Sequence, residues 1–171
     1  MTDVYREGAV ALSVEAARQC LEGWPIDQVG SISLASCTGY ECPAISYHLH
    51  QRLGLPAAAE HVDSIGTGCQ GAGPALRSAY LYARETGGMA LAVATEICSA
   101  CDFPEPGGVP RPDGRYELLR AKAIFGDGAA AALVGYDDDP SHPYFVDFES
   151  HFDARYMDYL GFRWVDRREA L

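Results

Sequence analysis

The chain has 171 residues, 48% of them apolar and 22% charged, with a formal net charge of −11. That length supports a single domain with a core of its own, and the acidic balance argues against nucleic acid and membrane as partners. No apolar run approaches the roughly 20 residues of a membrane span, and Met1 to Arg6 lacks the basic-then-apolar layout of a secretory signal, so a cytoplasmic protein is expected.

Val4 to Leu21 reads as an amphipathic helix, with Val10, Val14, Ala17 and Leu21 recurring at helical spacing. Trp24-Pro25 ends it, and Asp27-Gln28 leads into a strand at Ser31 to Ala35. A turn follows at Cys37-Thr38-Gly39. Pro43 suits the first turn of a helix carrying Ile45, Leu49 and Leu53, and Gly54 suits its stop. Asp63 to Gly68 is strand-like, and a helix is predicted from about Gly71 to Glu85, closing at Gly87-Gly88. Met89 to Ala94 and Ala129 to Val134 are short apolar runs, as expected of strands buried on both faces. Phe103 to Arg115 is dense in proline and glycine and is predicted to be a loop. Asp137 to Pro140 reads as a solvated turn, and Tyr144 to Phe148 alternates like one more strand. Alternating strands and helices imply a layered α/β domain.

Cys69 lies within Gly66-Thr67-Gly68-Cys69-Gln70-Gly71, between a strand and a helix. A cysteine at the positive end of a helix is favoured as thiolate, and flanking glycines let a substrate approach the sulfur. This is the layout of a nucleophile elbow with sulfur in place of a hydroxyl. A small buried cysteine filling space at a tight turn would give the same local pattern, so both readings stand. The other cysteines are 20, 37, 42, 98 and 101. In this setting free thiols are the default. Cys98 and Cys101 have redox-motif spacing without thioredoxin-like surroundings, and their distance from Cys37 and Cys42 is wrong for a zinc ribbon, so no metal is expected.

Four segments in order resemble the thiolase superfamily, and within it the type III polyketide synthases and their relatives, the 3-oxoacyl-ACP synthase III enzymes. They are Cys37-Thr38-Gly39 with Pro43, Leu53-Gly54-Leu55, Gly68-Cys69-Gln70-Gly71-Ala72-Gly73 with Leu76-Arg77, and Phe125 to Ala131. The likeness runs to about Gly135. It implies an α/β, layered, thiolase-like half-domain with a mixed sheet, spanning residues 1–171 as one domain without the family's C-terminal half. It also implies that Cys69 accepts an acyl group from a coenzyme A or carrier-protein thioester. Decarboxylation of a malonyl thioester and Claisen condensation would follow, with no permanently bound cofactor.

The resemblance carries over Thr38, Gly39, Glu96, Cys101 and Phe103 as substrate-pocket positions, and Cys42 as a position that reaches across a dimer. A carboxylate such as Glu96 after an apolar strand has to be hydrogen-bonded or exposed. Asp127, between two glycines, reads as a turn-former. The family's catalytic set is Cys-His-Asn, with the last two in its C-terminal half. This sequence has no asparagine, and none of His48, His50, His61, His142 and His151 stands at a family catalytic position. His48 and His50, two residues apart on one helix, point in different directions and read as surface residues.

The expectation is therefore a split enzyme. This chain would bring the cysteine, and a complementary subunit would bring histidine, asparagine and the remaining sheet in a dimer or higher assembly. The alternative is a non-condensing thiolase-fold scaffold or acyl-binding partner. The aromatic tail, with Tyr144, Phe145, Phe148, Phe152, Tyr156, Tyr159, Phe162 and Trp164, suits an interface.

Overall fold

A computed structural model describes residues 2–101, 124–137, 139 and 141–157. The chain divides into two compact units, Met1–Asp138 and Asp139–Leu171. In the first, helices and strands alternate: α1 (Thr2–Cys20), β1 (Val29–Ser36), α2 (Ile45–Leu53), β2 (Glu60–Ile65), α3 (Ala72–Thr86), β3 (Met89–Glu96) and β4 (Gly128–Val134). The sheet order is β2-β1-β3-β4. β1 runs parallel to both β2 and β3, and β4 pairs antiparallel with β3. The sheet is mixed, as expected.

Period-two alternation in β1 and β3 sorts side chains onto two faces. Ile32, Leu34, Leu91 and Val93 are all but fully buried and join Tyr5, Ala9 and Ala17 of α1 and Ile45 and Leu49 of α2 in one core. On the opposite face, Ala90, Ala92 and Val134 pack with Ala79 and Ala83 of α3. Ser33 is fully buried there, and its hydroxyl donates to the Ala75 carbonyl at 2.9 Å, which offsets the cost of burying it. α2 thus carries the chain from β1 to β2 across one face, and α3 carries it from β2 to β3 across the other.

Two local expectations are corrected. Pro43 does not open α2. The helix starts at Ile45 with Ala44 as its N-cap, and the Cys42–Pro43 peptide is cis. Gly54 does end α2, in a left-handed conformation with its N–H on the His50 carbonyl. Tyr144 to Phe148 is not a strand. Alternation alone makes no strand without a neighbour to complete the ladder. Tyr144 and Val146 instead stand 79% and 86% exposed, and the Phe145 and Phe148 rings stack at 5.0 Å. The loop predicted for Phe103 to Arg115, and Tyr159, Phe162 and Trp164, lie outside the described residues.

Candidate active site

β1, β2 and β3 are parallel, so their C-terminal ends share one edge of the sheet, and three loops leave from it: 37–39, 66–71 and 97–101. The chain turns to β2 on one side of β1 and returns as β3 on the other. Ligands of open α/β sheets bind in the crevice at such a reversal of strand order.

Cys69 stands in this loop cluster, in a single 3-10 turn, Gly68–Gln70, that leads directly into α3. Gly66 and Gly68 both adopt positive φ, +75° and +70°, which turns the backbone out of β2 before the cysteine. Gly66 N–H donates to the Ser36 carbonyl at 3.1 Å, so the turn is laced to the end of β1. Cys69 is exposed. It does not fill a gap in the core.

The loops that leave β1 and β3 are organised around Glu96, the last residue of β3. Its carboxylate accepts the Cys37 N–H at 2.9 and 3.1 Å and the Thr38 N–H at 2.9 Å. The half-buried carboxylate is satisfied by two successive backbone amides, and those amides are thereby spent as donors. Thr38 is buried. Its Oγ1 accepts the Ile97 N–H at 2.8 Å, and its carbonyl accepts the Cys101 thiol at 3.5 Å. Gly39 lies against the Tyr5 ring so closely that any Cβ would overlap it. Thr38, Gly39, Glu96 and Cys101 are therefore one interlocked unit; Phe103 lies outside the described residues.

Burial pushes the Cys37 thiol up to about 12, with further contributions from its hydrogen bond to Glu96, from the Glu96 charge, and from Cys69 and Cys98. Burial likewise raises Cys98, reinforced by Cys101, Glu96, Asp127 and Cys69. Cys37 and Cys98 remain thiols at neutral pH, while Cys69 is the exposed sulfur among them. Cys42 is exposed too, on the loop before α2.

Two residues contribute more than the sequence suggested. Asp127 uses both oxygens on Ser99, accepting its N–H at 2.8 Å and its hydroxyl at 2.6 Å. It pins the Cys98–Cys101 turn to the start of β4. Tyr5, from α1, donates to the Ser36 hydroxyl at 2.8 Å while its ring supports Gly39. A tyrosine on a helical stripe reads as core, and nothing local signals its second contact thirty-one residues away.

The model for the N-terminal domain of chalcone and stilbene synthases matches residues 1–138. The chain belongs to that family. Its first unit is accordingly an α/β thiolase-like half-domain. Relatives include a phloroglucinol synthase from Pseudomonas fluorescens, 28% identical over 162 residues, covering 93% of this chain and 44% of the relative. The type III polyketide synthase B of Arabidopsis thaliana is 31% identical over 140 residues, covering 81% and 34%. The type III polyketide synthase 10 of Oryza sativa subsp. japonica is 30% identical over 140 residues, covering 81% and 33%. This chalcone and stilbene synthase relative thus spans between a third and under half of the length of the proteins it matches. Among the described residues no helix is long and apolar enough to cross a membrane.

Proposed function

We propose that the chain is the cysteine-bearing subunit of a split type III polyketide synthase. In this reading the Cys69 thiolate attacks the carbonyl of an acyl-coenzyme A or acyl-carrier thioester. The carbon–sulfur bond to the carrier breaks and the carrier leaves as a thiolate, while the acyl group stays on Cys69. A carbanion formed by decarboxylation of a malonyl thioester then attacks that acyl carbonyl, and the thiolate of Cys69 leaves as the new carbon–carbon bond forms. Acyl transfer to sulfur needs a reachable nucleophile and hydrogen-bond donors aimed at the developing oxyanion. The Cys69 N–H, at the entry to α3, is the donor proposed for one oxyanion. The Cys37 and Thr38 amides are committed to Glu96 and do not serve.

The observation that carries the reading is an exposed cysteine on a glycine-bounded turn at the switch point among the parallel strands β2, β1 and β3. Burial holds the neighbouring Cys37 and Cys98 as thiols. The histidine and asparagine of the family's catalytic set have no counterpart among these residues, so the proposal assigns them to a complementary subunit with the C-terminal half of the fold. The α3 side of the sheet offers a surface for that subunit: Val62 and Leu81 are 41% and 48% exposed there.

The test is mass spectrometry of the chain after incubation with an acyl-coenzyme A, alone and with a candidate partner. An acyl mass on Cys69, absent in Cys69→Ala, with carbon–carbon bond formation only when the partner is present, supports the split enzyme. No adduct under either condition overturns it in favour of a non-condensing scaffold.

A further inference from the structure

Away from the Cys69 loop cluster, on the α2 face of the sheet, four polar side chains form a continuous chain. The Ser46 hydroxyl donates to Asp63 Oδ2 at 2.5 Å. His61 Nδ1 lies 3.1 Å from Ser46 Oγ, and His50 Nδ1 lies 3.1 Å from His61 Nε2. Tyr47 stacks on His61 with centroids 4.2 Å apart and planes 4° from parallel, which fixes the imidazole orientation. Ser46 is fully buried and Asp63 is half-buried, while His50 and His61 form the outer half.

The proton positions follow from donor counting. An ionised carboxylate only accepts, so the single hydroxyl hydrogen of Ser46 is committed to Asp63. Ser46 Oγ must then accept from His61, which places the His61 hydrogen on Nδ1. In neutral His61 this leaves Nε2 as an acceptor, and His50 must donate to it from its own Nδ1. Every bond in the chain points inward, from His50 to Asp63. Although serine, histidine and aspartate are all present, this is no hydrolytic triad. Serine stands between the other two, and its hydroxyl is sealed from any substrate.

We propose that His50, His61, Ser46 and Asp63 form a one-proton relay between solvent and the half-buried Asp63 carboxylate of β2. A solvent proton binds His50 Nε2. The Nδ1 hydrogen of His50 passes to His61 Nε2, the Nδ1 hydrogen of His61 passes to Ser46 Oγ, and the hydroxyl hydrogen of Ser46 passes to Asp63. Each intermediate residue gains one hydrogen and loses one, and the net change is a neutral Asp63. The need for such a proton is visible in the carboxylate itself, because Asp63 Oδ1 is buried without a hydrogen-bond partner. Leaving a charged oxygen in that state is costly.

Among the described residues, few other ionisable groups face the relay. α2 supplies His50 and Tyr47, and β1 has no ionisable side chain. α1 supplies the Tyr5 phenol, which feels Asp63 together with Glu96 and Glu41. Burial and the neighbouring His50 lower His61, and Asp63 opposes them. Burial raises Asp63, and its bonds to Ser46 and the nearby His61 work against that. Both shifts favour the neutral forms of the two groups, as a relay that passes protons without storing charge requires.

Long-range nitrogen–hydrogen correlation spectra of the ¹⁵N-labelled chain test this directly. At neutral pH, His50 and His61 should both appear as the Nδ1–H tautomer, which free histidine disfavours, and on acidification their signals should move with one common midpoint. Ser46→Ala should lose the Nδ1–H form of His61 and separate the two midpoints. Asp63→Asn, which retains an acceptor for Ser46, should keep both tautomers but lose the common proton uptake. An Nε2–H tautomer at His61 in the unmodified chain, or independent histidine midpoints there, overturns the relay. So does an unchanged spectrum in Ser46→Ala.

Discussion

The two faces of the sheet are built from different materials. The face under α1 and α2 is packed with large side chains, Tyr5, Ile32, Leu34, Ile45, Leu49, Leu91 and Val93, each no more than 2% exposed. The face under α3 is packed with alanine and serine: Ala75, Ala79 and Ala83 against Ser31, Ser33, Ala90 and Ala92. Large side chains bury more apolar area and so hold the fold. Small ones let a helix settle close to the strands, where a backbone carbonyl comes within hydrogen-bonding distance of Ser33. The first face supplies stability. The second fixes the height at which α3 begins, and with it the position of the Cys69 turn.

If that division holds, truncation on the first face has the largest effect. Leu91→Ala deletes a fully buried side chain between α1 and the sheet and should cost about 2–5 kcal/mol in urea unfolding. The Cys69 alkylation rate of the folded fraction should stay near its original value. Enlargement on the second face comes next. Ala79→Leu forces a side chain between α3 and the sheet and should cost about 1–3 kcal/mol. Here the alkylation rate of folded protein should change as well, because α3 carries the turn. Equal effects of both variants on the thiol would erase the distinction between the faces.

The same contrast explains what could be read from the sequence. β3 and β4 were legible because six-residue apolar runs between turn residues leave little else to form, β1 because Ser31 to Ala35 alternates small polar and apolar residues between turns, and α2 and α3 because helical spacing ends at Gly54 and Gly87. The Cys69 turn was legible because glycine on both sides has a local meaning. The supports of the site were not. Glu96 clamping the Cys37–Thr38 amides, Asp127 holding Ser99 and Tyr5 reaching Ser36 are contacts across 28 to 59 residues of sequence, and no local pattern encodes them. His50 read as a surface residue because helix spacing gives a direction but not what another strand has placed there.

A smaller effect separates packing from polar support on the first face. Tyr5→Phe keeps the ring beneath Gly39 and deletes only the hydroxyl donor to the buried Ser36. The expected loss is about 1 kcal/mol, the usual net worth of one such bond. A loss comparable to Leu91→Ala would mean that the hydroxyl, rather than the ring, organises the loop at the end of β1.

The smallest expected effect is a pH dependence confined to the relay beside that packed face, and its two ends have opposite signs. Asp63 is raised in the fold, so its contribution to stability is complete below the unfolded value of about 3.9 and fades as pH rises through the folded value. His61 is lowered, so its contribution is complete above about 6.5 and fades as pH falls through the folded value. Together they flatten the profile in the mildly acidic range. Asp63→Asn removes the first contribution and also the nearby negative charge that holds His61 up, so His61 should fall further. The variant should gain stability relative to the original chain at neutral pH and lose that advantage steadily on acidification, with a steeper slope below about pH 6.5. Urea midpoints across this range measure it. Parallel profiles for the two proteins would show that Asp63 keeps its ordinary carboxylate behaviour, and the buried end of the relay would then take up no proton.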